Sequence, residues 1–360
     1  MSSLAELMPD LTKTYGKNIG GKGHLLPDMM RLPTGDFPLD LAIGGGIPMG
    51  RITEIYGGEG SGKTNKALQL IASFQQRHSD KKCAFVDIEG TFDPEWARKF
   101  GVCVEELYFF RPNYAEQAVD IVEAILCADD CGLVVVDSIA AMVTIRESEQ
   151  SAEKSDVGGE AQAVKKLVRK STLALNRAVQ EGRIPTLVLI NQTRSKIGVM
   201  YGSPETTPGG NAKNFFCSMR LRIYGKNEMD ASVSKVLPAV KHTTVTVQKW
   251  KCPIVAHSAE YDIVMIPHKG MPVGYCNEWS VIKKYLEDWK QLIKDGTKGY
   301  KLFGKPYKTL TEIRAHIEGD KEFGNTVKEY IFERAKKEAS ATGINEEKED
   351  GEPIPEESQA

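Results

Sequence analysis

Residues 51–70 read RITEIYGGEGSGKTNKALQL. The run opens on a β-branched apolar stretch, turns through Gly57 to Thr64, and leaves with apolar residues at helical spacing. GGEGSGKT fits G-x-x-x-x-G-K-[ST] between a strand and a helix, the setting in which that pattern cradles phosphates. Gly57, Gly58, Gly60 and Gly62, with Glu59 and Ser61 between them, let backbone N–H groups converge on an anion, and the helix N-terminus adds partial positive charge. Lys63 would reach the β- and γ-phosphates and Thr64 would ligate Mg²⁺, so ATP with Mg²⁺ is the expected ligand. A chance Gly-rich turn is the competing reading, and it would not need both flanking elements.

Outward from this loop, the apolar runs CAFVDIE, GLVVVDS and TLVLINQ alternate with helical stretches such as AEQAVDIVEAILCA and AQAVKKLVRKSTLALNRAV. That alternation predicts an α/β fold, a P-loop NTPase core with a mainly parallel central sheet covered on both faces. MRLRIYG, TTVTVQKW and EYDIVMI carry strand chemistry without long helices between them, and are expected to extend the sheet as antiparallel strands. Four divisions follow. Residues 1–33 form an N-terminal arm, with Leu4, Leu7 and Leu11 at helical spacing interrupted by Pro9. Residues 34–267 form the core. Residues 268–338 form a small α+β unit, in which WSVIKKYLEDWKQLIKDG reads as helix and GYKLFGKPYK as a hairpin. Residues 339–360 are an acidic tail, expected to be disordered.

Composition narrows the class. Of 360 residues, 41% are hydrophobic and 27% charged, the balance of an ordinary globular protein. No apolar run approaches the roughly 20 residues of a membrane helix, and MSSLAELMPDL lacks the basic start of a signal peptide, so a cytoplasmic protein with no membrane partner is expected. Seven cysteines are scattered; Cys127 and Cys131 sit four apart without a second pair, and reduced thiols fit better than a metal site. The net charge of −2 gives no bulk attraction to nucleic acid, so any such contact must come from a local concentration of positive groups.

Two further strands end in acids. Asp137, closing LVVVDS, would hold Mg²⁺ directly or through water, or else cap the next helix. CAFVDIEG ends in Asp87 and Glu89, and Glu89 is the candidate to polarise the attacking water, against a plain loop carboxylate. Beyond TLVLINQ, about 17 residues show neither helix nor strand pattern, which inside a compact domain points to function. This segment carries Arg194 and Lys196 for phosphates and Met200 and Tyr201 to wedge or stack on bases. Its GGNA (Gly209, Gly210, Asn211, Ala212) allows close backbone approach to a polyanion. A flexible lid over the nucleotide is the alternative.

LDLAIGGGIPMGRITEIYGGEGSGKT, DPEWARKFGV, VVVDSIAAM and, above all, INQTRSKIGVMYGSPETTPGGNA resemble the bacterial RecA-type DNA recombinases over residues 34–266 and more weakly beyond. The resemblance implies a RecA-like ATPase that polymerises as a helical filament on single-stranded DNA and promotes homologous pairing and strand exchange with double-stranded DNA. It implies that 193–209 is similar to the second DNA-binding loop, that Gln192 senses the γ-phosphate, and that Glu89 is the catalytic glutamate. Trp96 falls where an aromatic ring meets adenine, although a core tryptophan is equally consistent. Lys249 and Lys251 match lysines that reach the neighbouring subunit's ATP; read alone, they are two same-face strand lysines. Phe215 matches an interface aromatic, and the arm LAELMPDLTKTYGK a segment that docks on the next protomer. A single-strand binding protein, loading factors and an SOS-type repressor are wider implications that no residue here selects.

Departures accompany the resemblance. The first DNA loop, around 147–164, matches poorly: Gln162 stands where arginine is expected, while Arg169 fits. Asn214 replaces an interface lysine, with Lys213 as a candidate substitute. Gly60 replaces serine, and Asn65 follows Thr64. These are departures of a divergent member, such as a phage or plasmid would carry. A hexameric motor ATPase and a regulatory paralogue without strand exchange stay open as alternatives. The acidic tail is either a solvated end or a competitor with DNA for a basic surface.

Overall fold

The computed structural model describes residues 3–16, 19–20, 29–150, 158–195, 205–210, 212–268 and 270–342. Nine strands make one sheet: β1 (Ile52–Gly57), β2 (Lys82–Asp87), β3 (Leu107–Phe110), β4 (Cys131–Asp137), β5 (Thr186–Gln192), β6 (Met219–Glu228), β7 (Val240–Trp250), β8 (Ser258–Val264) and β9 (Cys276–Asn277). Their order is β9-β8-β7-β6-β1-β5-β4-β2-β3. The six strands from β6 to β3 run parallel. β7, β8 and β9 continue the sheet antiparallel, as the helix-free run of strand sequences predicted.

Burial on both faces explains the near-continuous apolar runs. Every residue of β1 and of β4 is buried. On one face lies helix α2 (Lys63–Arg77; α1 is Leu4–Tyr15), whose Leu68, Leu70 and Phe74 join Ile55, Phe85 and Ile190 in one core. On the other, α3 (Ala115–Leu126) and α4 (Gly159–Gln180) cover Val134, Val136 and Leu189 with Val119, Val122, Val164 and Leu167. Register sets the crevice: Gly57 lies opposite Gln192 and Asp87 opposite Asp137, so four parallel strands deliver their carboxyl ends to one edge. Ligands of open α/β sheets bind at that edge.

The ends differ in detail from the sequence reading. Helix α1 runs through Pro9, because Ser3 and Glu6 form a capping box and the acceptor that Pro9 leaves unused, on exposed Ala5, faces solvent. None of its residues is buried. The core takes in residues ahead of 34: Arg31–Leu32 pairs with Ile47–Pro48, and Leu32 is fully buried.

WSVIKKYLEDWKQLIKDG is not one helix. Helix α5 (Trp279–Asp288) stops before Lys290, whose φ of 56° is left-handed. The chain then enters β10 (Leu292–Lys294), which pairs with the hairpin β11 (Tyr300–Leu302) and β12 (Lys305–Tyr307). With α6 (Leu310–Gly319) and α7 (Lys321–Ala341) these strands enclose a separate core around Leu286, Leu292, Ile313, Val327 and Ile331. Helix α7 extends past 338, with Ala339 buried. Residues 343–360, most of the tail, lie outside the described residues. Among the described residues no helix is long and apolar enough to cross a membrane, and all seven cysteines are free thiols.

Candidate nucleotide site and its link to the 193–211 segment

The loop after β1 is shaped by glycine. Gly60 and Gly62 have φ of 67° and 101°, values that L side chains rarely adopt, and a Cβ on Gly57 would lie 2.2 Å from the Ile223 carbonyl oxygen. Lys63 folds back on this loop, its Nζ donating to Gly58 O at 2.7 Å and Gly57 O at 3.1 Å. Burial lowers the proton affinity of Lys63, opposed by the nearby Asp137, Glu89 and Glu59. The Ser61 hydroxyl is buried with no hydrogen-bond partner among the described residues. An ammonium spent on carbonyls and an orphaned hydroxyl are what a polyphosphate would engage.

Thr64, one residue into α2, donates its hydroxyl to Asp137 Oδ2 at 2.7 Å. Asp137 is thereby turned toward the loop and does not cap the turn that follows. Burial raises its pKa to about 6, helped by the charge of Glu89 and opposed by the Thr64 bond and by Lys63. A hydroxyl and a carboxylate, both hard oxygens, make a donor set suited to Mg²⁺.

The two acids beyond β2 have opposite surroundings. Asp87 is saturated: it accepts from the backbone N–H groups of Gly90, Thr91 and Phe92, and from Arg111 at 3.0 Å, so it closes its own turn. Glu89 instead joins strand ends. Its Oε1 accepts from Ser138 Oγ at 2.5 Å and from Gln192 Nε2 at 2.7 Å, so the chain just past β2, the residue after β4 and the last residue of β5 meet at one oxygen. Sequence reading missed Ser138, which simply follows Asp137.

Trp96 sits in the short helix Pro94–Lys99, capped by Asp93. Its indole N–H donates to Asn65 Oδ1 at 3.0 Å, and its ring packs on Phe100 at 5.3 Å between centroids. The unexpected Asn65 therefore ties this aromatic to the phosphate-loop helix.

The segment after Gln192 is anchored at both ends. At its root the Thr193 N–H donates to Gly57 O at 3.2 Å, and Arg194 reaches Glu160 at 3.4 Å and Ala140 O at 3.3 Å. Arg194–Ser195 pairs antiparallel with Glu205–Thr206. At its exit, a Cβ on Gly209 (φ 91°) would come within 2.7 Å of Val164, so that glycine is required by helix α4; Gly210 (φ 66°) is exposed. Lys196, Met200, Tyr201 and Asn211 lie outside the described residues.

Beneath the exit is a polar network that the sequence reading did not single out. Glu54, fully buried in β1, accepts from Arg220 Nε at 2.5 Å and Asn191 Nδ2 at 2.8 Å. Asn191 also donates to Pro208 O, and Arg220 to Thr207 Oγ1. The signal available was a carboxylate inside the otherwise uncharged run ITEIYG. Lys213 belongs to the same network. It is 2% exposed and donates to Gly210 O at 2.8 Å and Thr207 O at 3.1 Å, so this candidate substitute for an interface lysine is turned inward within the chain.

Phe215, 66% exposed, is the penultimate residue of the short helix Ala212–Phe216. Lys249 donates to Asn214 O and Lys251 to Phe215 O at 3.0 Å, both at the negative end of that helix. Arg169 is exposed on α4.

Comparison with known proteins gives a consistent result. The model of the RecA N-terminal domain matches residues 3–270. The chain is 42% identical to Protein RecA of Aquifex aeolicus over 252 residues, covering 68% of this chain and 70% of that protein. It is 40% identical to Protein RecA of Aquifex pyrophilus over 272 residues (73% and 74%), and 37% identical to Protein RecA of Rickettsia massiliae over 267 residues (73% and 74%).

Proposed function

This chain belongs to the RecA family, and from that membership we propose how its named residues carry out the family's work. The chain is a RecA recombinase and a DNA-dependent ATPase that binds nucleotide; its relatives do not favour a hexameric motor or a regulatory paralogue. On our reading the nucleotide is ATP, held by residues 57–64, with Trp96 against the adenine and Thr64 and Asp137 holding Mg²⁺. The metal, when bound, offsets the charge developing on the phosphates.

Lys63 exchanges the Gly57 and Gly58 carbonyls for phosphate oxygens. Glu89 is the base that takes a proton from the attacking water. Both of its bonds among the described residues fall on Oε1, which leaves Oε2 for that proton. Gln192 is the coupling element, because one side chain bonds Glu89 while the next residues begin the DNA-binding segment. The shared oxygen of Glu89 is the observation that carries this reading.

Single-stranded DNA lies along 193–211 and Arg169, and copies of the chain assemble head to tail through Phe215, Lys249, Lys251 and the 1–33 arm. Such a heterologous, non-closing contact generates a helical filament. Homology is then tested by base pairing with the duplex, so no base-reading side chain is needed.

The test is ATP hydrolysis with and without single-stranded DNA, with electron microscopy of the same samples. DNA-stimulated hydrolysis on helical filaments is the expected result. Hydrolysis indifferent to DNA, with rings or no assembly, would overturn the assignment of these residues.

A further inference from the structure

The phosphate loop leans on strands β6 and β7. A Cβ on Gly225 of β6 would lie 2.4 Å from the Ser61 carbonyl oxygen, and one on Gly57 would strike Ile223, so this part of β6 is pressed against the loop. From β7 comes a lysine with no part in the scheme above. Lys241 is 6% exposed, and its Nζ donates to Gly60 O at 2.5 Å. Its Cδ lies 3.4 Å from where a Cβ on Gly62 would be, so the stem runs alongside the loop. Among the described residues no carboxylate pairs with it. Among the described residues its ammonium is held by a carbonyl of the phosphate loop itself.

A buried ammonium without a counter-anion is unfavourable unless something offsets it. Lys63 serves the Gly57 and Gly58 peptides; Lys241 serves Gly60, the position where the departure from serine leaves no side chain to brace the turn. A Cβ at Gly60 would meet nothing within 4 Å, so the loop has no packing of its own there.

We propose that Lys241 is a second cation of the nucleotide loop, a positioning residue that fixes the Gly60 peptide and lends uncompensated positive charge to a bound polyphosphate. The proposal rests on reading 57–64 as the ATP loop. Because the charge acts on any polyphosphate in the loop, it strengthens ADP and ATP binding alike. It therefore acts on KM and leaves the chemical step alone.

The experiment is calorimetric titration of the full-length chain with Mg·ADP, alongside steady-state hydrolysis on single-stranded DNA. Lys241→Met should weaken ADP by about tenfold, as for a lost charge-assisted contact, and raise KM for ATP in parallel. Its kcat should stay within about twofold, since only uniform binding is lost. Lys241→Arg should recover most of the affinity, and the wild type should lose affinity with added KCl more steeply than Lys241→Met. Should the Met variant not fold, as checked by thermal unfolding, Lys241→Gln replaces it. ADP affinity unchanged in the neutral variant, or lost equally in the Arg variant, would overturn the role of Lys241. A wild type that binds no ADP would overturn the ATP reading as well, which keeps the two failures apart.

Discussion

β1 and β5 end side by side, with Gly57 opposite Gln192, yet the segments that follow them are held in different ways. The phosphate loop takes its backbone shape largely from its own residues, with Lys63 bonding carbonyls five and six residues back and Gly60 and Gly62 supplying the left-handed backbone, while Lys241 of β7 adds a bond from outside. The 193–211 segment is held at its ends by distant elements. Glu54 and Arg220 stand under its exit, Val164 of α4 packs on Gly209, and Glu160 meets Arg194. On the proposed roles, a loop that presents an anion site is built mainly from near neighbours, whereas one that responds to the nucleotide is tied to the strand that carries it. The two systems meet at these strand ends, where the Thr193 N–H bonds Gly57 O and Gln192 bonds Glu89.

The strongest way to break this picture is at that touching point. Glu89→Gln should lower kcat by about two to three orders of magnitude, the usual loss when a general base is removed. ATP affinity should change by less than about threefold, because the loop that binds is untouched. Quench-flow hydrolysis beside equilibrium ATP binding would decide, and a variant keeping a tenth of wild-type kcat would move the base elsewhere.

Next in size is the anchor under the exit. Arg220→Leu leaves Glu54 buried without its cation and should cost about 3–5 kcal/mol in urea unfolding. A loss below about 1 kcal/mol would show that the exit is held without this pair.

The third test concerns pH. Burial raises the pKa of Asp137 from 3.8 to about 6, so its protonated form persists to higher pH than that of a free carboxyl. Its contribution to folding is fully present below its ordinary pKa and is lost as pH rises through about 6. Its capacity to hold Mg²⁺ is lost as pH falls through the same value, by about tenfold per unit below it. Mg·ATP titrations from pH 7.5 down to 5 would show the fall, and Asp137→Asn should flatten it while weakening binding throughout. A wild-type profile already flat would reject Asp137 as the titrating ligand.

The smallest effect is expected at the edge of the site. Asn65→Ala removes one neutral hydrogen bond to Trp96 and should weaken ATP by less than about fivefold, near 1 kcal/mol. Tryptophan fluorescence on nucleotide addition would register it; no change in either quantity would detach Trp96 from the nucleotide.

What the sequence made legible follows the same division. The strand–loop–helix around Gly57–Thr64, the parallel strands and the antiparallel extension were readable because each depends on local pattern: β-branched runs, glycine spacing and helical periodicity. The contact of Glu89 with Ser138 and Gln192 joins residues 49 and 103 positions apart. Resemblance could pair Glu89 with Gln192, but nothing in spacing could. Glu54, Asn191 and Arg220 form their network only once β1, β5 and β6 are neighbours. Adjacency to Asn214 makes Lys213 a candidate substitute for an interface lysine, and only the fold shows it turned inward. The C-terminal strand Leu292–Lys294 was absorbed into a helix because its single buried residue, Leu292, also fits helical spacing.

Lys249 and Lys251 are already occupied within the single chain, each bonded to a carbonyl at the end of helix Ala212–Phe216. In a filament assembled as proposed, the same ammonium groups would serve the neighbour's nucleotide. At these two lysines, joining subunits is then a swap of partners and not a gain of new ones, so their own net contribution to the joint is small beside the gross attraction. Loss of the neighbour's phosphate would then take away what the lysines swapped to, and would favour opening of the joint. The short helix would be the first thing to notice, since it regains its lysines as the joint opens.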